Sequence, residues 1–295
     1  MYFGIDWGGT KMEIVALTPA GSVAARHRLP TPTGGYAQAL EAVKSLVAEA
    51  ERQAGTTGTV GIGIPGSPSP QTGLVRNSNV VVLNGRPLRR DLEALIGRPV
   101  RIANDANCLA VSEAVDGAGA GAHVVFGVII GTGHGGGIAI DGRVHAGFQG
   151  FAAEIGHYPL PWMKADEYPG PKCWCGKHGC LEMFACGTGF ERDHFECAGE
   201  VRKGAEIIAA MRAGDQASRA TYERFADRLA RSLALLVNII DPDVFVLGGG
   251  MSNIDELYED LPPALAARTF STVFHTPIKR NRHGDASGVR GAAWL

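Results

Sequence analysis

The pattern that most constrains this chain occurs twice. YFGI (2–5) reads as a short buried strand, DWGGT (6–10) as a tight glycine turn, and MEIVALT (12–18) as a strand returning beside the first. HVVFGVII (123–130), GTGHGGG (131–137) and IAIDGRVHAG (138–147) repeat that order, the last as a hairpin with Asp141-Gly142 at its tip. A strand, glycine turn and antiparallel return recurring in this way predicts two similar halves, and a cleft between such halves is the expected ligand site.

The intervening segments follow an α/β alternation. VAARHRL (23–29) is a third strand of the opening meander, and Tyr36, Leu40, Val43, Leu46, Val47 and Ala50 keep helical spacing up to Gly55. VGIGIPG (60–66) is an apolar strand ending in a Gly-Pro loop. RPVRIANDAN (98–107) runs from a strand into a polar turn before the helix CLAVSEAV (108–115), and GAGAGA (117–122) reads as a joint. A long helix fits 217–240, Asp241-Pro242 stops it, and VFVLGGG (244–250) is a buried strand ending in three glycines.

Composition narrows the partners. At 295 residues and 45% hydrophobic, the chain can bury a full core without disulfide staples, as one large domain or two modest ones. Its 28 basic and 30 acidic residues are interspersed, so no stripe for nucleic acid is visible. No signal-peptide pattern opens the sequence and no apolar run reaches the roughly 18 residues of a membrane span. A cytoplasmic protein with reduced thiols is therefore expected. Glycine stands out at 41 residues, against a usual share of about 7%, which predicts many positions where the backbone turns sharply or meets a ligand.

Three glycine loops follow apolar strands: DWGGT, GTGHGGG and GGG at 248–250. Such loops leave N–H groups free to surround phosphate oxygens, and a threonine hydroxyl adds a donor. Each alone is as well explained by an ordinary hairpin; three together favour phosphate. GTGHGG formally fits G-x-G-x-x-G, but that fingerprint must open a helix and here a hairpin follows. Asp6 beside the first loop is either a turn-stabilising aspartate or a carboxylate that needs a divalent cation between itself and phosphate.

Asp105, at a strand-to-helix junction, is a candidate general base, with helix N-capping as the plainer alternative. Asn104 could both donate to and accept from a polyol, and Glu154, His157 and Glu182 flank one segment with groups suited to sugar hydroxyls. Within that segment CWCGKHGC (173–180) offers Cys173, Cys175 and Cys180, three thiolates for a structural Zn²⁺ that requires four ligands. His178 is strained by the loop, Cys186, His194 and Cys197 follow the helix expected behind Glu182, and His157 can loop back. The spacing is not the C-x-x-C of a redox motif.

DWGGTK (6–11), GIGIPG (61–66), ANDAN (103–107), GTGHGGG, EIGH (154–157), CWCGKHGCLE (173–182) and VLGGG (246–250) occur in the order of the ROK sugar kinases, which the chain resembles over nearly its whole length. The resemblance implies a two-lobed actin-like ATPase (ribonuclease H-like) fold with a central cleft. Its small lobe would be 1–117, with the helix 284–295 returning to it, and its large lobe 118–283 would carry the zinc motif. It implies Asp105 as the base, with Gly66, Asn79, Asn104, Glu154, His157 and Glu182 around the sugar. ATP and Mg²⁺ would lie at Asp6, Gly8, Gly9, Thr10, Lys11, Gly131, Thr132, Gly133, Gly248, Gly249 and Gly250. Structural zinc would sit on His157, Cys173, Cys175 and Cys180. His134 departs from the small or apolar residue usual at its position.

NSNVVVLNGRPLRRDL, ANDANCLAVSEAVDGAGAGA, YPLPWM and HGDASGVRGAAWL are most similar to bacterial fructokinases that also accept mannose. The resemblance thus implies fructose as substrate, phosphorylated to the 6-phosphate, with N-acetylglucosamine kinase or glucokinase as the alternative and a homodimer as the assembly. A rival of a different class is a non-catalytic sugar-binding regulator. The family's repressors carry a DNA-reading domain before the first glycine loop, for which the start of this sequence leaves no room.

Overall fold

A computed structural model describes residues 1–295. The elements are β1 (Tyr2–Trp7), β2 (Lys11–Leu17), β3 (Val23–Pro30), α1 (Tyr36–Ala54), β4 (Thr59–Ile64), β5 (Ser67–Pro68), β6 (Val75–Arg76), α2 (Leu88–Ile96), β7 (Val100–Asn104), α3 (Asp105–Val115), β8 (Val124–Ile130), β9 (His134–Ile140) and β10 (Arg143–Val144). They continue with α4 (Gly187–Ala198), α5 (Gly204–Arg212), α6 (Gln216–Ile240), β11 (Val244–Gly248), α7 (Leu257–Ala266), β12 (Ile278–Arg280) and α8 (Ser287–Trp294).

Two five-stranded sheets have the orders β3-β2-β1-β4-β7 and β10-β9-β8-β11-β12. In the first, β1–β2 and β2–β3 are antiparallel while β1–β4 and β4–β7 are parallel. In the second, β9–β10 are antiparallel and β11–β12 parallel. The connection 131–133 between neighbouring β8 and β9 is too short for anything but an antiparallel return. The sequence repeat is thus a repeat of sheet topology. The second glycine turn is shorter than expected: His134 to Gly137 belong to β9, and Gly137 is there because a methyl group at it would stand 2.2 Å from the Ala106 carbonyl.

The chain forms two compact units, residues 1–127, 137–153 and 282–295 in the first and 128–136 and 154–281 in the second. The expected break after residue 117 differs from this division. Residues 137–153 stay with the first unit, where the Ile138 N–H donates to Asn107 Oδ1 at 3.3 Å. The C-terminal helix also lies in the first unit.

In that unit both faces of the first sheet are buried. Phe3, Ile5, Trp7, Met12 and Ile14 pack with Val43, Leu46 and Leu92 from α1 and α2. The alternate positions Val15 and Leu17 pack with Val289 and Ala293 of α8. On this second face several glycines serve helix packing rather than turns or ligands: a methyl at Gly4 would lie 2.2 Å from the Val289 carbonyl, at Gly61 1.8 Å from that of Ala292, and at Gly291 1.7 Å from that of Cys108. An alanine at any of them would push α8 off its support.

The second unit is organised around α6. Asp215 caps it by accepting from the Ser218 N–H at 2.9 Å, and Asp241, at φ 49, ends it before Pro242. Leu229 and Leu233 bury one face, while Arg228 and Arg231 on the same helix clasp Glu167. Burial alone would raise the Glu167 pKa, but the two guanidiniums hold it at about 2. Arg231 also donates to the carbonyls of Pro161 at 3.1 Å and Trp162 at 2.8 Å, fixing the entry to the cysteine segment onto α6.

Candidate active site

In the first unit β7 delivers Asn104 and Asp105 to the start of α3. Asn104, not Asp105, is the N-cap: its Oδ1 accepts from the Ala106 N–H at 2.9 Å and its Nδ2 donates to the Gly66 carbonyl at 3.3 Å. The helix begins at Asp105 rather than Cys108. Gly66, at φ +78, passes so close to the β6 hairpin that a methyl would be 2.4 Å from the Arg76 carbonyl. Asn79 is exposed, next to Ser78, which Asn84 braces through bonds of 2.9 and 2.8 Å.

Asp105 accepts from the Ala106 N–H at 2.8 Å, yet burial raises its pKa against that bond and the Asn104 side chain. Asp6, near the end of β1, is pushed up to about 6, first by burial, then by the charges of Asp105 and Glu13, with Lys11 and Arg28 opposing. Two carboxylates in each other's field suit one proton acceptor and one site that wants a cation. Cys108 lies beside them, its thiol driven well up by burial and by both aspartates, hence inert. The loop Gly8–Thr10 is closed by Gly8 N–H to the Lys11 carbonyl at 2.9 Å and tethered by Thr31, whose hydroxyl donates to the Gly8 carbonyl at 2.7 Å. Gly9, Thr10 and Lys11 are exposed.

In the second unit the loop Gly131–Gly133 is braced from the start of α4: the Gly187 N–H donates to the Gly131 carbonyl at 2.7 Å and the Thr188 hydroxyl to the Thr132 carbonyl at 2.9 Å. Gly248 ends β11, and Gly249, at φ +83, fits where a methyl would be 2.6 Å from the Ile130 carbonyl. The GGG segment and the Gly131 loop are therefore neighbours in the same unit.

Glu154 is exposed and precedes the 3₁₀ turn Ile155–His157. His157, Cys173, Cys175 and Cys180 bring their ligand atoms within 4.8 Å of one another. His157 Nδ1 lies 3.6 Å from Cys173 Sγ, and Cys175 Sγ 3.5 Å from Cys180 Sγ. A tetrahedral zinc with sulfur at about 2.3 Å has edges of about 3.8 Å, so the donor set fits that ion. Burial pushes Cys173 up and Cys180 up to about 12, while the Lys177 N–H favours the Cys175 thiolate. Three thiolates here call for a cation. The other candidates fall away: His178 faces the Gly170 carbonyl at 3.1 Å, Cys186 caps α4, His194 bonds Thr221 Oγ1 at 3.0 Å, and Cys197 is exposed.

Two residues that sequence reasoning left without a role converge on Glu182. Trp174, between two of the cysteines, sets its ring edge-on to His157 with centroids 4.7 Å apart and donates its indole N–H to Glu182 Oε1 at 2.9 Å. The His134 N–H donates to Glu182 Oε2 at 3.2 Å. The position of Trp174 inside CWC was the available signal. Nothing local pointed to the backbone of His134. Glu182 is thereby fixed at both oxygens, with lone pairs left for further donors.

The sequence profile of the ROK family matches residues 2–295. N-acetyl-D-glucosamine kinases of Haemophilus influenzae (strain 86-028NP) and Vibrio cholerae (strain ATCC 39315 / El Tor Inaba N16961) are 40% identical over 300 residues and 42% over 299, each alignment covering 100% of this chain and 99% of the relative. Among solved structures, a ROK hexokinase from Thermus thermophilus superposes with a TM-score of 0.88 at 34% identity, covering 99% of this chain and 96% of that one. A ROK family glucokinase from Streptomyces griseus, in complex with glucose and AMPPNP, gives 0.78 at 28% identity, covering 99% and 97%. The fold is the actin-like ATPase fold of these kinases.

Proposed function

The chain belongs to the ROK family and is a sugar kinase of it, and on that premise we propose that it phosphorylates N-acetylglucosamine from ATP at the primary hydroxyl. The observation that carries this reading is identity of 40% and 42% over the full chain to kinases named for that sugar. The likeness to fructokinases rested on short segments outside the glycine loops and the cysteine motif. It gives way to full-length similarity, and fructose becomes the competing substrate.

Asp105 takes the proton of the hydroxyl as that oxygen bonds to the γ-phosphorus and the bond to the departing ADP breaks. Its pKa, raised by burial, makes it a stronger base than an exposed aspartate. Asn104, Asn79, Gly66, Glu154, His157 and Glu182 are the proposed sugar contacts. The backbone at Gly8–Thr10, Gly131–Gly133 and Gly248–Gly250, with Lys11, would receive the nucleotide. Asp6 fits a magnesium site, since burial and the Asp105 charge outweigh the nearby Lys11 and Arg28 at its carboxylate; that ion would neutralise phosphate charge.

Zinc on His157, Cys173, Cys175 and Cys180 would be structural, because four protein ligands leave no position for a reacting water. Because His157 Nδ1 lies on the side of Cys173, zinc would be held through that nitrogen and Nε2 would be left for the sugar. No helix is long and apolar enough to cross a membrane.

An ADP-release assay at fixed magnesium and ATP, run with N-acetylglucosamine, glucose, mannose and fructose, tests the proposal. The expected result is the highest kcat/KM on N-acetylglucosamine. Preference for fructose would restore the competing reading, and binding without turnover on any of the sugars would favour a sugar-binding regulator.

A further inference from the structure

His134 is the first residue of β9, directly after the Gly131–Gly133 loop. The residue is 5% exposed. Nδ1 donates to the Ala185 carbonyl at 2.5 Å, while Nε2 is buried without a protein partner. The bond to a carbonyl fixes the neutral tautomer that carries its proton on Nδ1. Burial also holds the pKa down at about 4 despite that carbonyl, so the ring stays neutral around pH 7.

The two ends of this residue reach the same short segment. Its N–H meets Glu182 at 3.2 Å, its ring meets Ala185, and the preceding Gly133 lies where a methyl would come within 2.6 Å of Glu182 Oε2. Gly187 and Thr188 then bind back to Gly131 and Thr132. Residues 131–134 and 182–188 are therefore laced along their length. One bears the proposed phosphate-binding backbone, the other the proposed sugar carboxylate.

We propose that His134, assisted by Thr188, is a positioning residue that makes the phosphate loop and the Glu182 turn move as one piece, so that nucleotide and sugar strengthen each other's binding. The proposal rests on the sugar-kinase reading of these two segments. Any shift of the loop toward a bound nucleotide carries the His134 N–H and the Ala185 carbonyl with it, and with them the carboxylate that meets the sugar. By linkage the effect is reciprocal.

The experiment is calorimetric titration of N-acetylglucosamine into the protein with and without saturating magnesium-AMPPNP. The wild type should bind the sugar at least about fivefold more tightly in the presence of the nucleotide, within the usual range of coupling between sites. His134→Leu fills the space without a donor and should bring that ratio to within about twofold of unity. His134→Asn, which keeps a side-chain N–H, should restore most of it. Thr188→Val alters an exposed side chain, so it reads the same tether should His134→Leu not fold, and it should lower the ratio in part. An unchanged ratio in His134→Leu, in Thr188→Val if the leucine variant does not fold, or no coupling in the wild type, overturns the proposal. A wild type that binds neither ligand overturns the sugar-kinase reading itself, and the proposal with it.

Discussion

Asp105 and Glu182 are both carboxylates proposed to face the sugar, but their surroundings differ in kind. Asp105 sits at the start of a buried helix, has another carboxylate in its field, and has its pKa raised by burial. Glu182 has a donor on each oxygen, the Trp174 indole on one and the His134 N–H on the other. A carboxylate whose pKa burial raises against its donors is the better proton acceptor, and one held by a donor on each oxygen is a fixed hydrogen-bond partner. On the proposed function, the difference would separate the residue that sets the rate from the one that sets affinity.

The largest effect that would break this contrast is in turnover. Asp105→Asn keeps the shape and the bond to the Ala106 N–H but cannot accept the proton, so kcat should fall roughly 10²–10⁴-fold, as for loss of a general base. ADP release by the folded variant checks it. Next comes the cysteine cluster. Metal analysis of the wild type should find zinc, and Cys180→Ser or zinc removal should raise the sugar KM about 10–100-fold, the scale of disturbed metal sites. The nucleotide KM should stay within about twofold, a separation that fails if the cluster instead supports the whole unit.

A finer test is Trp174→Phe, which keeps the ring beside His157 and removes the bond to Glu182. It should raise the sugar KM about fivefold at unchanged kcat, equivalent to about 1 kcal/mol for one hydrogen bond. The smallest effect is on stability. Because the folded-state pKa of Asp105 lies above its unfolded value, its contribution is fully present below the unfolded pKa and is lost as pH rises through the folded one. Asp105→Asn lacks this loss, so its melting temperature should match the wild type in acid and exceed it increasingly as pH rises through the folded-state pKa. A melting difference independent of pH would contradict the assignment.

The parts of the site built from local chemistry were legible in the sequence. Two hairpins with glycine turns, the ANDAN junction and the CWCGKHGC run each announce a backbone conformation or a ligand type within a few residues. What the sequence hid depends on segments far apart along the chain. Gly4 and Gly61 look like ligand-facing glycines but exist because α8, more than two hundred residues later, lies against their backbone. His134 looked like an anomaly of a phosphate loop; the loop in fact ends before it, and the histidine faces Ala185. Choosing His157 over His178 as the fourth ligand required the family resemblance, because reach across a loop cannot be judged from spacing alone.

Side-by-side steady-state kinetics of Asp105→Asn and Glu182→Gln with N-acetylglucosamine, against the wild type, test the central claim most directly. The account predicts that Asp105→Asn loses kcat with its sugar KM within a few-fold. Glu182→Gln, whose amide must set a donor against the Trp174 or the His134 N–H, should raise the sugar KM at least about tenfold with a smaller loss of kcat. Near-wild-type turnover by a folded Asp105→Asn, or the two variants exchanging these signatures, would contradict it.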